Sequence, residues 1–180
     1  MGVSPASEVP RSVWGDRWVR IASVVTLAWT YVTIVVGADV TATDSQLACV
    51  SWPTCTGQSL LPTSYTGGVL IEFTHRVAAL VLSLLILALL VLILRYERHR
   101  RSVRRLGVFA FGLLIFQAAL GAVIIFTQAA AVVVILHLAV ATLLFAVLLV
   151  VALLVNLPHL PPRWRVSLFG EEDVRGSPGP

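Results

Sequence analysis

A chain of 180 residues that is 58% hydrophobic and only 12% charged, with a mean hydropathy of +0.92, is not an ordinary soluble domain. The net charge is +4, and all 13 basic residues are arginine. They gather in short segments beside apolar runs, which is the pattern of a chain oriented across a membrane and not of a nucleic-acid binder.

Residues 1–17 are polar and contain Pro5 and Pro10; they are expected to form a disordered cytoplasmic tail. A first membrane span follows at 18–38. Roughly 21 residues at 1.5 Å per residue reach about 31 Å, enough to cross the hydrocarbon core. A cleaved signal peptide ending at Val36-Gly37-Ala38 is the competing reading; the length of the run and the three later spans argue against it. The loop 39–69 is rich in Thr, Ser, Gly and Pro and holds no arginine; its only charges are Asp39 and Asp44. Spans are predicted at 70–94, 106–127 and 132–155, giving a transmembrane domain over 18–155. The central loop carries Arg95, Arg98, Arg100, Arg101, Arg104 and Arg105, and residues 128–131 make a short uncharged turn. Residues 156–180 form a second cytoplasmic tail, with Arg163 and Arg165 near its start.

These arginine-bearing segments all fall on one side. The positive-inside rule and the short connections then predict an all-α, multi-pass protein of the plasma membrane. It is a four-transmembrane-helix, up-down-up-down bundle with cytoplasmic N- and C-termini, and the 39–69 loop lies outside.

Ionisable groups inside a span cost roughly 2.5 to 3.5 kcal/mol each on insertion scales, so each needs a reason. Glu72, His75 and Arg76 head the second span at i, i+3 and i+4, on one helical face, ahead of an uncharged run from Val77 to Leu94. His137 sits in the fourth span at a depth matching that of His75, both roughly 7 to 9 Å below the outer surface. The second and fourth helices of such a bundle are diagonal neighbours about 11 to 14 Å apart, a gap that suits a planar cofactor between two imidazoles. Haem, whose iron takes axial histidines, is the natural candidate; zinc, wanting four ligands, fits less well. The alternative is that each His bonds a neighbouring helix as packing glue. With haem present, Arg76 is expected on a propionate and Glu72 facing the cofactor. Without it, the two make an ordinary i, i+4 ion pair. Gln117, in the third span, is a polar group in need of a partner, and the small residues around it, Ala118, Gly121 and Ala122, allow close packing or room for a macrocycle. His99 and His159 fall in cytoplasmic loops and receive no role.

Cys49 and Cys55 lie in the outer loop with five residues between them, Trp52-Pro53 included. On the outer face a disulfide is expected. It is either a structural pin over the bundle mouth or a redox-active pair.

Taken in order, Gly37-Ala38-Asp39-Val40-Thr41, the Cys49–Cys55 loop, Glu72-Phe73-Thr74-His75-Arg76, Gln117-Ala118-Ala119-Leu120-Gly121 and His137-Leu138 resemble the haem A synthase family of the CtaA/Cox15 type, over roughly residues 20–155. The resemblance implies an oxidoreductase that hydroxylates a methyl group of haem O and converts it to a formyl, giving haem A for terminal oxidases. It implies His75 and His137 as axial ligands of a haem iron, with haem b or haem O/A as the bound forms. Glu72 would assist catalysis together with the two histidines, Arg76 and Gln117 would border the cofactor, and the cysteines would serve haem handling or electron delivery. The loop departs from the family at Val50-Ser51, where Pro-Asp often follows the first Cys. Family chains have two tandem four-helix halves and this sequence matches one, so a homodimer is expected, with a haem O synthase and an electron donor as possible further partners. A bis-His membrane protein that only carries haem or electrons is the alternative function. A thiol–disulfide oxidoreductase is a third, and it leaves the His pair without a role.

Overall fold

The computed structural model describes residues 13–57, 61–62 and 64–159. Most of the two predicted tails, and with them Arg11, Arg163 and Arg165, lie outside the described residues. Four long helices dominate: α1 (Val13–Ala42), α2 (Gly68–Tyr96), α3 (Arg101–Phe126) and α4 (Ala131–Asn156), with a 3₁₀ turn at Leu157–His159. Among the described residues there are no strands, and all four helices are long and apolar enough to cross a membrane. The chain is an all-α, multi-pass membrane protein.

The helices do not stop where the apolar runs stop. Residues 13–17, expected in the polar tail, are the first turns of α1, which continues past Asp39 to Ala42. At 30 residues α1 is about 45 Å long, more than the roughly 30 Å of hydrocarbon. Hydropathy marks the lipid-immersed part, whereas backbone hydrogen bonding carries the helix on into the interface. Gly67 precedes α2 with φ +55°, a left-handed conformation that suits a residue without Cβ. Between α3 and α4 two consecutive left-handed residues, Gln128 and Ala129, reverse the chain.

α1 packs on α2 and α4, and α3 packs on α4 and α2, so α2 and α4 face each other across a diagonal. Specific bonds tie the ring. Trp29 Nε1 donates to the Ala78 carbonyl of α2 (3.0 Å), Asn156 Nδ2 to Ser23 Oγ of α1 (3.1 Å), and an Arg100 N–H to the Leu154 carbonyl of α4 (2.6 Å). The buried face of α1 is a hydroxyl stripe, Ser23, Thr26, Thr30 and Thr33, at helical spacing. Ser23, Thr30 and Thr33 each donate to a carbonyl one turn back, which keeps these hydroxyls satisfied away from water. Small side chains let α1 approach its neighbours closely, and in lipid it is such van der Waals contact that holds helices together.

Packing is uneven along the bundle. The buried cluster consists of Val19, Leu82, Ile86, Leu89, Ile93, Val103, Ala110, Leu114, Leu144, Val147, Leu148, Val151 and Val155. It joins the start of α1, the later part of α2, the first half of α3 and the later part of α4. In α4 no residue before Leu144 is buried. The half of the bundle away from the arginine-rich connection is therefore the loosely packed one, and it contains both His75 and His137. Large apolar side chains such as Leu80, Leu84, Ile115, Phe116 and Ile135 point outward, as a lipid-facing surface requires.

Candidate functional site

His75 lies seven residues into α2 and His137 six into α4, depths of roughly 10 and 9 Å along the two helices. Both are half-buried. Each ring rests against a glycine of another helix. A Cβ at Gly37 of α1 would come 2.8 Å from His75 Cε1, and one at Gly121 of α3 would come 3.7 Å from His137 Cε1. Gln117 Nε2 donates to the His137 carbonyl at 2.9 Å, which supplies the partner this intramembrane amide requires and ties α3 to α4 beside the second histidine.

A haem between these rings needs ring nitrogens free of other partners, ring orientations fixed from behind, and room between the helices. His75 Nδ1 and His137 Nδ1 are both buried without a hydrogen-bond partner, as is Gln117 Oε1. Orphaned buried polar atoms are rare in folded chains and ask for an explanation. Gly37 backs the His75 ring, and Gln117 anchors the backbone of His137. No residue of α4 before Leu144 is buried, so this half is the less tightly packed one. The residues present thus fit a haem. Among the described residues no three His, Cys, Asp or Glu side chains converge to hold a bare metal ion.

The glycine contacts give a paired prediction. Gly37→Ala places a methyl where the His75 ring stands and should weaken haem retention about tenfold, the scale on which disturbed ligand support acts at metal sites. Gly121→Ala adds only an ordinary contact and should retain haem. The haem-to-protein ratio of the two purified variants distinguishes them.

Above His75 the Cys loop folds onto α2. Cys49 and Cys55 form a disulfide and are both buried. Glu72, with its side chain 6% exposed, accepts the Cys49 N–H on Oε2 (2.7 Å) and pairs with Arg76 through Oε1. Arg76 in turn donates to backbone carbonyls of the loop. Glu72, His75 and Arg76 share a helical face, and the carboxylate and guanidinium are bound to each other, as the ion-pair alternative had it, and to the loop. His99 is exposed; His159 ends the 3₁₀ turn. Sequence reasoning missed the α1 hydroxyl stripe, whose i, i+3, i+4 spacing was visible. It also missed the contact of Gly37 with His75, for which no local signal exists.

Comparison with known proteins adds the lineage. A family model described as cytochrome oxidase assembly protein, COX15-CtaA, matches residues 20–170. Relatives named "heme A synthase" include one from Lysinibacillus sphaericus, 43% identical over 107 residues, covering 59% of this chain and 34% of the relative. One from Listeria welshimeri is 35% identical over 106 residues, covering 58% and 35%. One from Geobacillus thermodenitrificans is 33% identical over 140 residues, covering 77% and 43%. The chain thus spans less than half the length of these curated relatives. With the family model covering most of its length, the chain belongs to the COX15-CtaA family of cytochrome oxidase assembly proteins.

Proposed function

We propose that this chain provides a haem A synthase site: a haem held between His75 and His137, and oxidation of the methyl group of haem O to a formyl to give haem A for terminal oxidase assembly. The observation that carries the reading is the pair of depth-matched imidazoles on α2 and α4, each with a buried nitrogen lacking a partner and each ring next to a glycine of another helix. The names of the relatives support the same chemistry. A bound haem supplies the iron for the oxidation; the protein's own groups do the rest. His75 and His137 hold and orient the macrocycle. Glu72, one turn from His75, is the carboxylate available to accept or return a proton, while Arg76 and Gln117 are the polar groups beside the two histidines.

The arginines Arg17, Arg20, Arg95, Arg98, Arg100, Arg101, Arg104 and Arg105 belong to the ends of the helices away from the Cys loop. The positive-inside rule then sets that end in the cytoplasm and the disulfide loop on the extracytoplasmic side, in an alternating bundle. One four-helix unit carries one His pair; in the proposed assembly a homodimer supplies the second haem position. A haem O synthase supplies the substrate and a membrane electron donor the reducing equivalents.

The test is co-expression with a haem O synthase in cells lacking their own haem A synthase, followed by haem extraction and chromatography. Haem A is the expected product. If haem O accumulates unchanged while the purified chain still shows a bis-histidine haem spectrum, the chain is a haem or electron carrier instead.

A further inference from the structure

The disulfide ring is wrapped around one cation. Arg76 Nη1 donates to the carbonyl oxygens of Ser51 (2.6 Å) and Thr54 (2.7 Å), and Nη2 to that of Cys49 (3.1 Å). A longer contact reaches the Pro53 carbonyl (3.5 Å). On its other edge Nε and Nη2 grip Glu72 Oε1 at 3.2 and 2.5 Å. Cys49 is held at both ends of its backbone unit, since Glu72 accepts its N–H and Arg76 donates to its C=O. The Arg76 side chain is 16% exposed.

Several carbonyl dipoles of one short ring pointing at a single spot repel one another unless a cation stands there. Arginine is suited to the place because its planar fork donates in several fixed directions, which a lysine ammonium on a flexible stem does not reproduce. The inward-turned carbonyls and the guanidinium therefore need each other, and the same guanidinium fixes the carboxylate of Glu72.

We propose that Arg76 is a positioning residue: it seats the Cys49–Cys55 ring on α2 and through the same contacts holds Glu72 in place beside His75, so that the closed disulfide and the placed carboxylate form one coupled unit. The seating of the ring stands on the contacts alone; its consequence for catalysis rests on the reading of Glu72 as the proton-transferring group.

The first measurement uses the full chain, free of haem, in detergent. Dithiothreitol opens the disulfide, delivering two electrons and two protons to give two thiols while it leaves as a cyclic disulfide; thiols are counted by maleimide gel shift. Charge-assisted bonds are each worth about a factor of ten or more in an equilibrium. Arg76→Gln should therefore open about tenfold faster than the unaltered chain, with Arg76→Lys in between. Variants are compared at equal helix content; if Arg76→Gln does not fold, Arg76→Lys carries the comparison. Reduction at the unaltered rate overturns the proposal.

The second measurement is made on haem-loaded protein. Arg76→Gln should keep its haem content within about twofold, because His75 and His137 are untouched, while its haem A yield falls to the level of Glu72→Gln. Loss of haem with an unchanged reduction rate would mean that Arg76 holds the cofactor and not the loop, and overturns the proposal. If Glu72→Gln forms haem A at the unaltered level while Arg76→Gln still opens faster, the seating of the ring stands and the catalytic reading of Glu72 falls.

Discussion

His75→Ala and His137→Ala, made separately, should each insert in the membrane as a folded bundle but purify with at most about a tenth of the haem of the unaltered chain. Disturbing only the outer partners of metal ligands already costs roughly 10- to 100-fold in affinity, and here the ligand itself is removed. The fold should survive, because the buried cluster from Val19 to Val155 lies in the other half of the bundle, away from both histidines. The rings are half-buried and in part unpartnered, so truncation removes few packing contacts and breaks no interhelical side-chain bond of the kind made by Trp29 or Asn156. A pyridine haemochrome assay on each variant gives the haem content, and circular dichroism gives the helix content. Imidazole added to the buffer should restore part of the haem spectrum by filling the place of the lost ring. Unchanged haem content in both variants would remove the basis for a cofactor between α2 and α4.

The second large effect is expected at Glu72 and concerns stability. Glu72→Leu leaves the mostly buried Arg76 without its counter-charge and the Cys49 N–H without its acceptor. Breaking a buried pair by removing one partner typically costs about 3 to 5 kcal/mol. Arg76 keeps its bonds to the loop carbonyls, so a loss of about 3 kcal/mol is expected. Glu72→Gln keeps an oxygen that can accept the Cys49 N–H and should cost about 1 to 2 kcal/mol less than the leucine variant. Denaturant titration of the two variants in mixed micelles, with the disulfide intact, measures the difference. Equal stability of Glu72→Leu and the unaltered chain would show that the ion pair and its contact with the loop contribute nothing to the fold.

The stability and chemistry of this region are coupled in an instructive way. A carboxylate one helical turn from a proposed iron ligand is costly in a membrane unless it is paired. Arg76 supplies the charge and Cys49 a backbone N–H, so the same contacts that make Glu72 tolerable also fix where it stands. Gln117 plays a comparable part on α3. Its amide N–H meets the His137 carbonyl, while its own carbonyl oxygen stays buried and unpartnered beside the site.

Much of this was legible in the sequence because the relevant physics is local. A membrane demands long, apolar, internally hydrogen-bonded segments, so four helices followed from hydropathy alone. The spacing of Glu72, His75 and Arg76 set them on one face of α2, since the helical repeat does not depend on the neighbours. The matching depths of His75 and His137 followed from counting residues inward from the loop ends. The helix ends were less legible, since α1 runs on through Asp16 and Asp39 where hydropathy has already fallen.

What lies opposite each face was decided only by the tertiary structure. The sequence placed Arg76 on the correct helical face but could not say that a loop more than twenty residues earlier folds back to present its carbonyls to that guanidinium. Nothing local marks Gly37 as the surface on which the His75 ring rests, or the His137 carbonyl as the acceptor for Gln117. Such contacts depend on how each helix is rotated about its axis and how closely it approaches its neighbours. The whole bundle sets those quantities through its packed half, with Trp29, Asn156 and the α1 hydroxyl stripe among the residues that fix them.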